Sequence, residues 1–310
     1  MSATVVEASP RAERRRGRWN SDRGAPYLFL APAVTILLLV TGIPIAIAFG
    51  LSFVQYQWNA PNIPIGFVGL DNYLNLVRDA NVIASISWTV IFTLSVLVLE
   101  LSAGMVLALL LHGMGSSRLG GLARAVFLIP LMMSGVITGF MWRLMYDPEY
   151  GPINHLLGLI GMDPVSWFSD QTATRLVVIL ADTWLATPFV MLILLAGLQS
   201  IPTDYYEAAR VDGASQRQSF FRITLPLLRY PILVVLLIRT MDALRAFDLI
   251  YLMTRGGPGV ATSTVMMYDY KYAFSFFQMG RASALSFAFL IVIGIIAWVY
   301  MRLLRREAAL

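Results

Sequence analysis

The stretch PTDYYEAARVDGASQRQSFFRITLP, residues 202–226, decides how the rest of the chain is read. It is a polar island dotted with Arg210, Arg217 and Arg222, set between two apolar runs long enough to cross a bilayer, which takes about 20 residues of helix. Connections between neighbouring helices usually run only ~2–8 residues. An island this long, carrying helix signals of its own, reads as a docking element and not as a turn. Pro202 suits the first turn of a helix, Asp204 lies near its positive end, and Gly213 suits a left-handed stop. A second short helix is expected over 215–222. The island therefore predicts a helix, a glycine-hinged bend and another helix, protruding from the membrane.

On either side of the island the chain is dominated by apolar runs of spanning length, at 27–53, 82–111, 122–145, 172–198, 227–253 and 283–304. Six spans put both ends on one side. Arg11, Arg14, Arg15, Arg16, Arg18 and Arg23 precede the first run; Arg118, the three island arginines and Arg302, Arg305 and Arg306 fall on the same side. Only Arg78, Arg255, Lys271 and Arg281 fall in the alternate loops, so the positive-inside bias places both termini and the island in the cytoplasm. With 58% hydrophobic and 13% charged residues, against ~25% charged in soluble domains, the chain is an integral membrane protein. The net charge of +5 is distributed by membrane side, without a basic patch interleaved with aromatics, which argues against a nucleic-acid partner. There is no cysteine, hence no disulfide or thiol chemistry. Residues 1–26 lack apolar periodicity and are expected to be a disordered, arginine-rich cytoplasmic tail. The run at 27–53 exceeds a signal-peptide core, so it is expected to stay as a span although Ala31-Pro32-Ala33 imitates a cleavage site. The domain reading is a tail (1–26), a membrane domain (27–304) containing the loop 202–226, and a cytoplasmic tail (305–310).

The island also carries a resemblance. Glu207-Ala208-Ala209, three residues, Gly213, nine residues, then Ile223 and Leu225-Pro226 resembles the EAA loop of permease subunits in binding-protein-dependent ABC importers. Gly256-Gly257-Pro258-Gly259 followed by Ala261-Thr262, a tyrosine-rich stretch, Ala273-Phe274, Gly280 and Ala282 resembles the carbohydrate-type branch, the maltose, trehalose and glycerol-phosphate permeases. With 184–189 and 196–201, the likeness covers nearly everything from residue 27 to the last span. It implies an all-α integral membrane fold of six transmembrane helices, with a cytoplasmic coupling helix between spans four and five, in a bacterial cytoplasmic membrane. It also implies a second homologous permease, a dimer of ATPase subunits and an extracytoplasmic sugar-binding protein, with ATP and Mg held by the ATPase and no cofactor on this chain. By the same resemblance Glu207 is the charge partner for the ATPase groove. Ala208 and Ala209 allow close approach, Asp212 and Gly213 form the bend, and Leu225 and Pro226 close the motif.

No phosphate-binding glycine loop with a lysine occurs, and Lys271 is the only lysine. His112 and His155 have no metal-ligand spacing, and no nucleophilic triad can be placed, so the chain reads as a transport subunit and not as an enzyme or metal site. What remains is charge within apolar runs, which costs roughly 2.5–3.5 kcal/mol per group on insertion scales. Arg239, Asp242, Arg245 and Asp248 recur every third residue in the expected fifth span. They read either as part of a sugar path with Tyr251 or as a self-paired ladder holding two spans together. Asp182, beside Trp184 and Thr187, reads as one wall of a sugar site; Glu100 reads as satisfied across a helix interface. Gly135 and Gly139 permit close helix packing. The alternative from another class is a secondary transporter driven by an ion gradient, with the charged row as its coupling site.

Overall fold

The computed structural model describes residues 25–60, 65–115 and 117–307, and these are overwhelmingly helical. Of the expected tails, 1–24 and 308–310 fall outside the described residues, whereas 25–26 open the first helix and 305–307 close the last. The chain divides into two units, Met1–Ile47 and Ala48–Leu310. The first holds α1 (Ala25–Leu37), which passes through a π-helical turn, Leu38–Gly42, into the first half of α2 (Ile43–Ser52). Phe29, Leu30, Ile36, Leu38 and Val40 are all exposed, so this rod has no polar face and its natural solvent is lipid.

In the second unit a two-stranded antiparallel ribbon, β1 (Val54–Gln55) with β2 (Gly66–Phe67), leads into α3 (Asp71–Arg78). Asn72 Nδ2 donates to the carbonyls of Ser52 (2.9 Å) and Val54 (3.0 Å), which fixes α3 against the chain entering the ribbon. There follow α4 (Ala80–Gly113), α5 (Arg118–Leu128), α6 (Gly135–Met145), the short α7 (Pro152–Leu159) and α8 (Gln171–Gln199). The α4 helix starts on Asp79, whose carboxylate accepts from Asn81 N, satisfying a donor that the first turn leaves free. Trp88, Phe92, Val96, Glu100, Gly104 and Ala108, four residues apart, form one buried ridge on α4 packed along α8. A Cβ on Gly104 would lie 2.7 Å from Val190 Cγ1, so the two helices need a glycine here.

The island gives α9 (Asp204–Val211) and α10 (Gln216–Ser219), and a π turn, Phe220–Thr224, carries the chain through α11 (Leu225–Leu227) to α12 (Arg229–Leu244). Then come α13 (Asp248–Thr254), α14 (Val265–Tyr270) with a further π turn, Lys271–Ser275, and α15 (Met279–Glu307). Among the described residues four helices are long and apolar enough to cross a membrane, Phe29–Ser52, α4, α8 and α15, and up to six if each of two bent pairs is one span.

Those bent pairs correct two of the expected runs. The run at 122–145 is not one rod: α5 with its 3-10 turn, Pro130–Met132, meets α6 at 97°. Pro130 has no N–H to continue the ladder, and Ser134 restarts the helix, its Oγ accepting from Ile137 N. The run at 227–253 is bent at its start and broken within. Residues 216–227 meet α12 at 61°, and α12 itself stops at Leu244. Arg245 there closes the helix at φ −95°, ψ 11°; its Nε donates to Met241 O (3.0 Å) while Thr264 Oγ1 donates to Ala246 O (2.9 Å). Helix-end carbonyls that a continuing helix would bond are taken by these two side chains.

The α6 helix uses its glycines against α13. A Cβ on Gly139 would sit 2.7 Å from the Leu249 carbonyl oxygen, a backbone atom that cannot give way. Gly139→Ala is therefore expected to destabilise the fold by about 1–3 kcal/mol, seen as a lowered thermal midpoint in detergent. Gly294→Ala, where nothing lies within 4 Å, should leave the midpoint unchanged.

Candidate functional site

Two groups of residues are candidates, the island and the charges within the apolar helices. In the island, Glu207 and Ala208 are exposed on α9 and Ala209 is half-buried. The helix ends on Asp212, and Gly213 follows at φ +75°, a conformation that side chains with a Cβ rarely adopt. Gly213 N donates to Arg210 O (3.1 Å) and Ala214 N to Ala209 O (2.8 Å), so two of the carbonyls left over at the helix end are satisfied through a single left-handed residue. Ser215 then opens α10 with a reciprocal cap: Gln218 N donates to its Oγ (3.3 Å), and Ser215 N donates to Gln218 Oε1 (2.7 Å). The elbow is thus specified on both sides of the bend.

The elbow is also tied to the helix that follows. Tyr206 Oη and Thr224 Oγ1 lie 3.0 Å apart, joining α9 to the turn that carries Leu225 and Pro226 into the fifth apolar segment. Tyr206 packs on the buried cluster of Leu198, Ile201 and Leu228. A groove lined by Leu109, His112, Tyr206, Glu207, Arg210 and Phe220 separates the end of α4 from the island.

The second group differs from the sequence expectation in its pairing. Arg239 does not belong chiefly to a row along its own helix. Its Nε donates to Glu100 Oε2 (2.7 Å), and its Nη2 donates to Glu100 Oε1 (2.8 Å) and to Asp182 Oδ2 (2.8 Å). Glu100, Asp182 and Arg239 are 1%, 9% and 8% exposed, so α4, α8 and α12 are pinned together through one guanidinium. The planar fork of arginine suits this bidentate contact in a way that a lysine ammonium does not. At the edge of the cluster Asp242 Oδ2 lies 3.7 Å from Arg239 Nη1, and Arg245 Nη2 donates to Asp242 Oδ1 (3.3 Å). Asp242 and Arg245 are about half exposed.

Asp248 is not part of an i, i+3 row, because α12 ends before it and α13 begins on it. It is exposed and forms no salt bridge among the described residues. Tyr251 is half-buried on α13 and stacks on Phe247, ring centroids 5.4 Å apart. Asp182, Trp184 and Thr187 are not brought onto one wall. Asp182 turns to Arg239, whereas Trp184 and Thr187 line a recess walled by Leu107, Phe127, Pro130 and Pro188. Residues two apart on a helix differ by about 200° in direction, which separates Asp182 from Trp184. The sequence showed all three charged members of the buried cluster, but nothing in it indicates that Glu100 and Asp182 lie opposite Arg239.

Residues 22–308 match the family described as Binding-protein-dependent transport system inner membrane component. The trehalose/maltose transport system permease protein MalF of Thermococcus litoralis is 38% identical over 276 residues, covering 89% of this chain and 92% of that one. Among solved structures, a bacterial ABC transporter involved in the import of the acidic polysaccharide alginate has a chain with TM-score 0.78 and 25% identity, covering 91% of this chain and 96% of that one. A second structure, a bacterial alginate ABC transporter in complex with alginate pentasaccharide-bound periplasmic protein, has a chain with TM-score 0.76 and 25% identity, covering 92% and 95% respectively. The chain belongs to the binding-protein-dependent transport system inner membrane components, the membrane subunits of ABC importers.

Proposed function

We propose that this chain is one half of the membrane pore of an ATP-driven carbohydrate importer, with six spans, both termini and the 202–226 island on the cytoplasmic side. The observation that carries the coupling role is the elbow from α9 to α10, doubly capped, with Glu207 exposed and Tyr206 bonded to Thr224 at the root of the fifth span. A separate ATPase dimer docks on α9, and Glu207 meets a cation in its groove. Ala208 and Ala209 let the helix seat closely, Asp212 and Gly213 set the bend, and Leu225 and Pro226 start the span. ATP-driven closure of the ATPases draws this elbow and that of a second, homologous permease together, tilts the spans outward-open, and resets on hydrolysis. ATP and Mg are held by the ATPase, and this chain contributes no cofactor.

Carbohydrate as cargo is supported by the trehalose/maltose relative and the alginate neighbour. An extracytoplasmic sugar-binding protein delivers it, as the complex of the second neighbour with a periplasmic protein suggests for that transporter. Within the path, Asp242, Arg245, Asp248 and Tyr251 offer hydroxyl-binding groups; Asp182 and Glu100 hold Arg239 in place behind them. The test is purification of this chain from its own membrane in mild detergent. An ATPase and a second permease are expected to co-purify and to hydrolyse ATP, and Glu207→Arg is expected to lose the ATPase while keeping the second permease. Retention of the ATPase by that variant would sink the assignment of Glu207.

A further inference from the structure

Phe247, which caps α13, Tyr251 on α13, Tyr270 on α14 and Phe274 in the π turn after it bring their rings into one connected cluster of stacked, tilted and edge-on pairs. Centroids lie 5.1 Å apart for Phe247 and Tyr270, 5.5 Å for Tyr251 and Tyr270, and 5.0 Å for Tyr270 and Phe274, in addition to the stacked Phe247–Tyr251 pair. None of the four is buried, and Phe274 is 60% exposed. They stand at the end of α12 away from the island.

Rings at a membrane boundary commonly serve as lipid anchors. Here the surroundings are wrong for lipid. Asp248 precedes Tyr251 by three residues and so shares its face of α13, and it is exposed without an ion-pair partner among the described residues. Asp242 and Arg245, just upstream, are also exposed. Carboxylates turned toward hydrocarbon are expensive, so this face looks onto water or a polar cargo. Aromatic faces carry partial negative charge, which attracts the weakly positive axial C–H groups of a pyranose ring, while a neighbouring carboxylate accepts from its hydroxyls. A sugar ring uses both halves of this surface; a lipid or a purely apolar helix uses only one.

We propose that Phe247, Tyr251, Tyr270 and Phe274 form a stacking platform for pyranose rings at the pore end opposite the island, with Asp248 as hydroxyl acceptor. This rests on the importer reading, so the test separates the two. The purified complex with its ATPase and second permease is probed by saturation-transfer NMR with trehalose, maltotriose and an alginate trisaccharide, and by ATP-driven uptake of the same sugars into vesicles. For at least one sugar the ring C–H protons are expected to saturate. Tyr270→Ala and Phe274→Ala should each reduce saturation and uptake about tenfold, and Tyr270→Phe should keep most of both. Saturation and uptake within twofold of wild type in the double alanine variant would overturn the platform, as would a Tyr270→Phe loss equal to that of alanine. An equal loss in Tyr150→Ala, an exposed ring outside the cluster, would assign the effect to interfacial anchoring and also overturn it. If the wild-type complex shows no ATP-driven uptake, the importer reading fails, and the saturation signal alone decides the platform: lost in Tyr270→Ala it stands, absent from wild type it falls.

Discussion

Replacing Arg239 with alanine is expected to cost the membrane domain about 3–5 kcal/mol, because removing one partner of a buried ion cluster leaves the others charged and unpaired. Glu100 would lose both of its hydrogen bonds to the guanidinium and Asp182 its only one. In a thermal scan of the purified chain this should appear as a fall in midpoint of roughly 10 °C, at ~2–4 °C per kcal/mol. Arg239→Lys should recover only part of the loss, since one ammonium cannot face two carboxylates in the fork geometry. The decisive form of the test is a cycle. Adding Glu100→Gln and Asp182→Asn to Arg239→Met removes the uncompensated charges, and this triple variant should be more stable than Arg239→Met alone. Equal midpoints for the two would show that the cluster does not pin α4, α8 and α12 as its geometry indicates.

Gly213→Val should abolish transport while leaving the chain inserted and folded. No neighbouring atom stands within 4 Å of an added Cβ at this position, so the objection to valine is not crowding. It is the backbone, held at φ +75°, where a β-branched residue is strained by roughly 1–3 kcal/mol. Relief of that strain comes from opening the turn, which breaks the bonds from Gly213 N and Ala214 N to α9. The expected signature is a complex that still hydrolyses ATP but takes up at most one tenth of the sugar per ATP. Gly213→Asn, which tolerates the left-handed conformation better than other residues, should retain most of the coupling. Unchanged sugar uptake per ATP in Gly213→Val would remove the elbow from the mechanism.

Much of the helical architecture was legible in the sequence because its signals are local. Spanning-length apolar runs give α4, α8 and α15, and the stop at Gly213 with the restart at Ser215 is written in the residues that make it. Breaks that depend on tertiary partners were not legible. The apolar run continues beyond Leu244 with no Pro or Gly to mark a stop, yet Arg245 bonds back to Met241 and Thr264 reaches across from the following loop to take the Ala246 carbonyl. The candidate charges were visible one by one, but the periodicity of three along one stretch left a sugar path and a self-paired ladder equally open. The true partners of Arg239 lie 139 and 57 residues away, on helices whose relative rotation no single sequence fixes. Trp184 and Thr187 were grouped with Asp182 by nearness in the chain, and a helix sends them to different faces. Of the aromatic cluster only Tyr251 stood out, beside the charged row; its neighbour Phe247 lies in the same run, and Tyr270 and Phe274 join through the fold of the chain between α13 and α15.

The hydrogen bond between Tyr206 and Thr224 has a mechanical meaning in the proposed cycle. Thr224 stands four residues before Leu228, the fully buried residue at which the chain bends by 61°, and α12 extends 16 residues beyond it. At 1.5 Å per residue this is a crank with a short arm of ~6 Å and a long arm of ~24 Å, pivoting on Leu228. A nudge of ~1 Å applied through Tyr206 scales to about 4 Å at the far end of α12, next to Arg245 and Phe247, and because Arg239 is bonded to Glu100 and Asp182 the motion carries α4 and α8 with it. Small travel at the nucleotide-driven end and large travel at the cargo end is the gearing that a pore needs if one subunit turns over ATP and another moves a sugar.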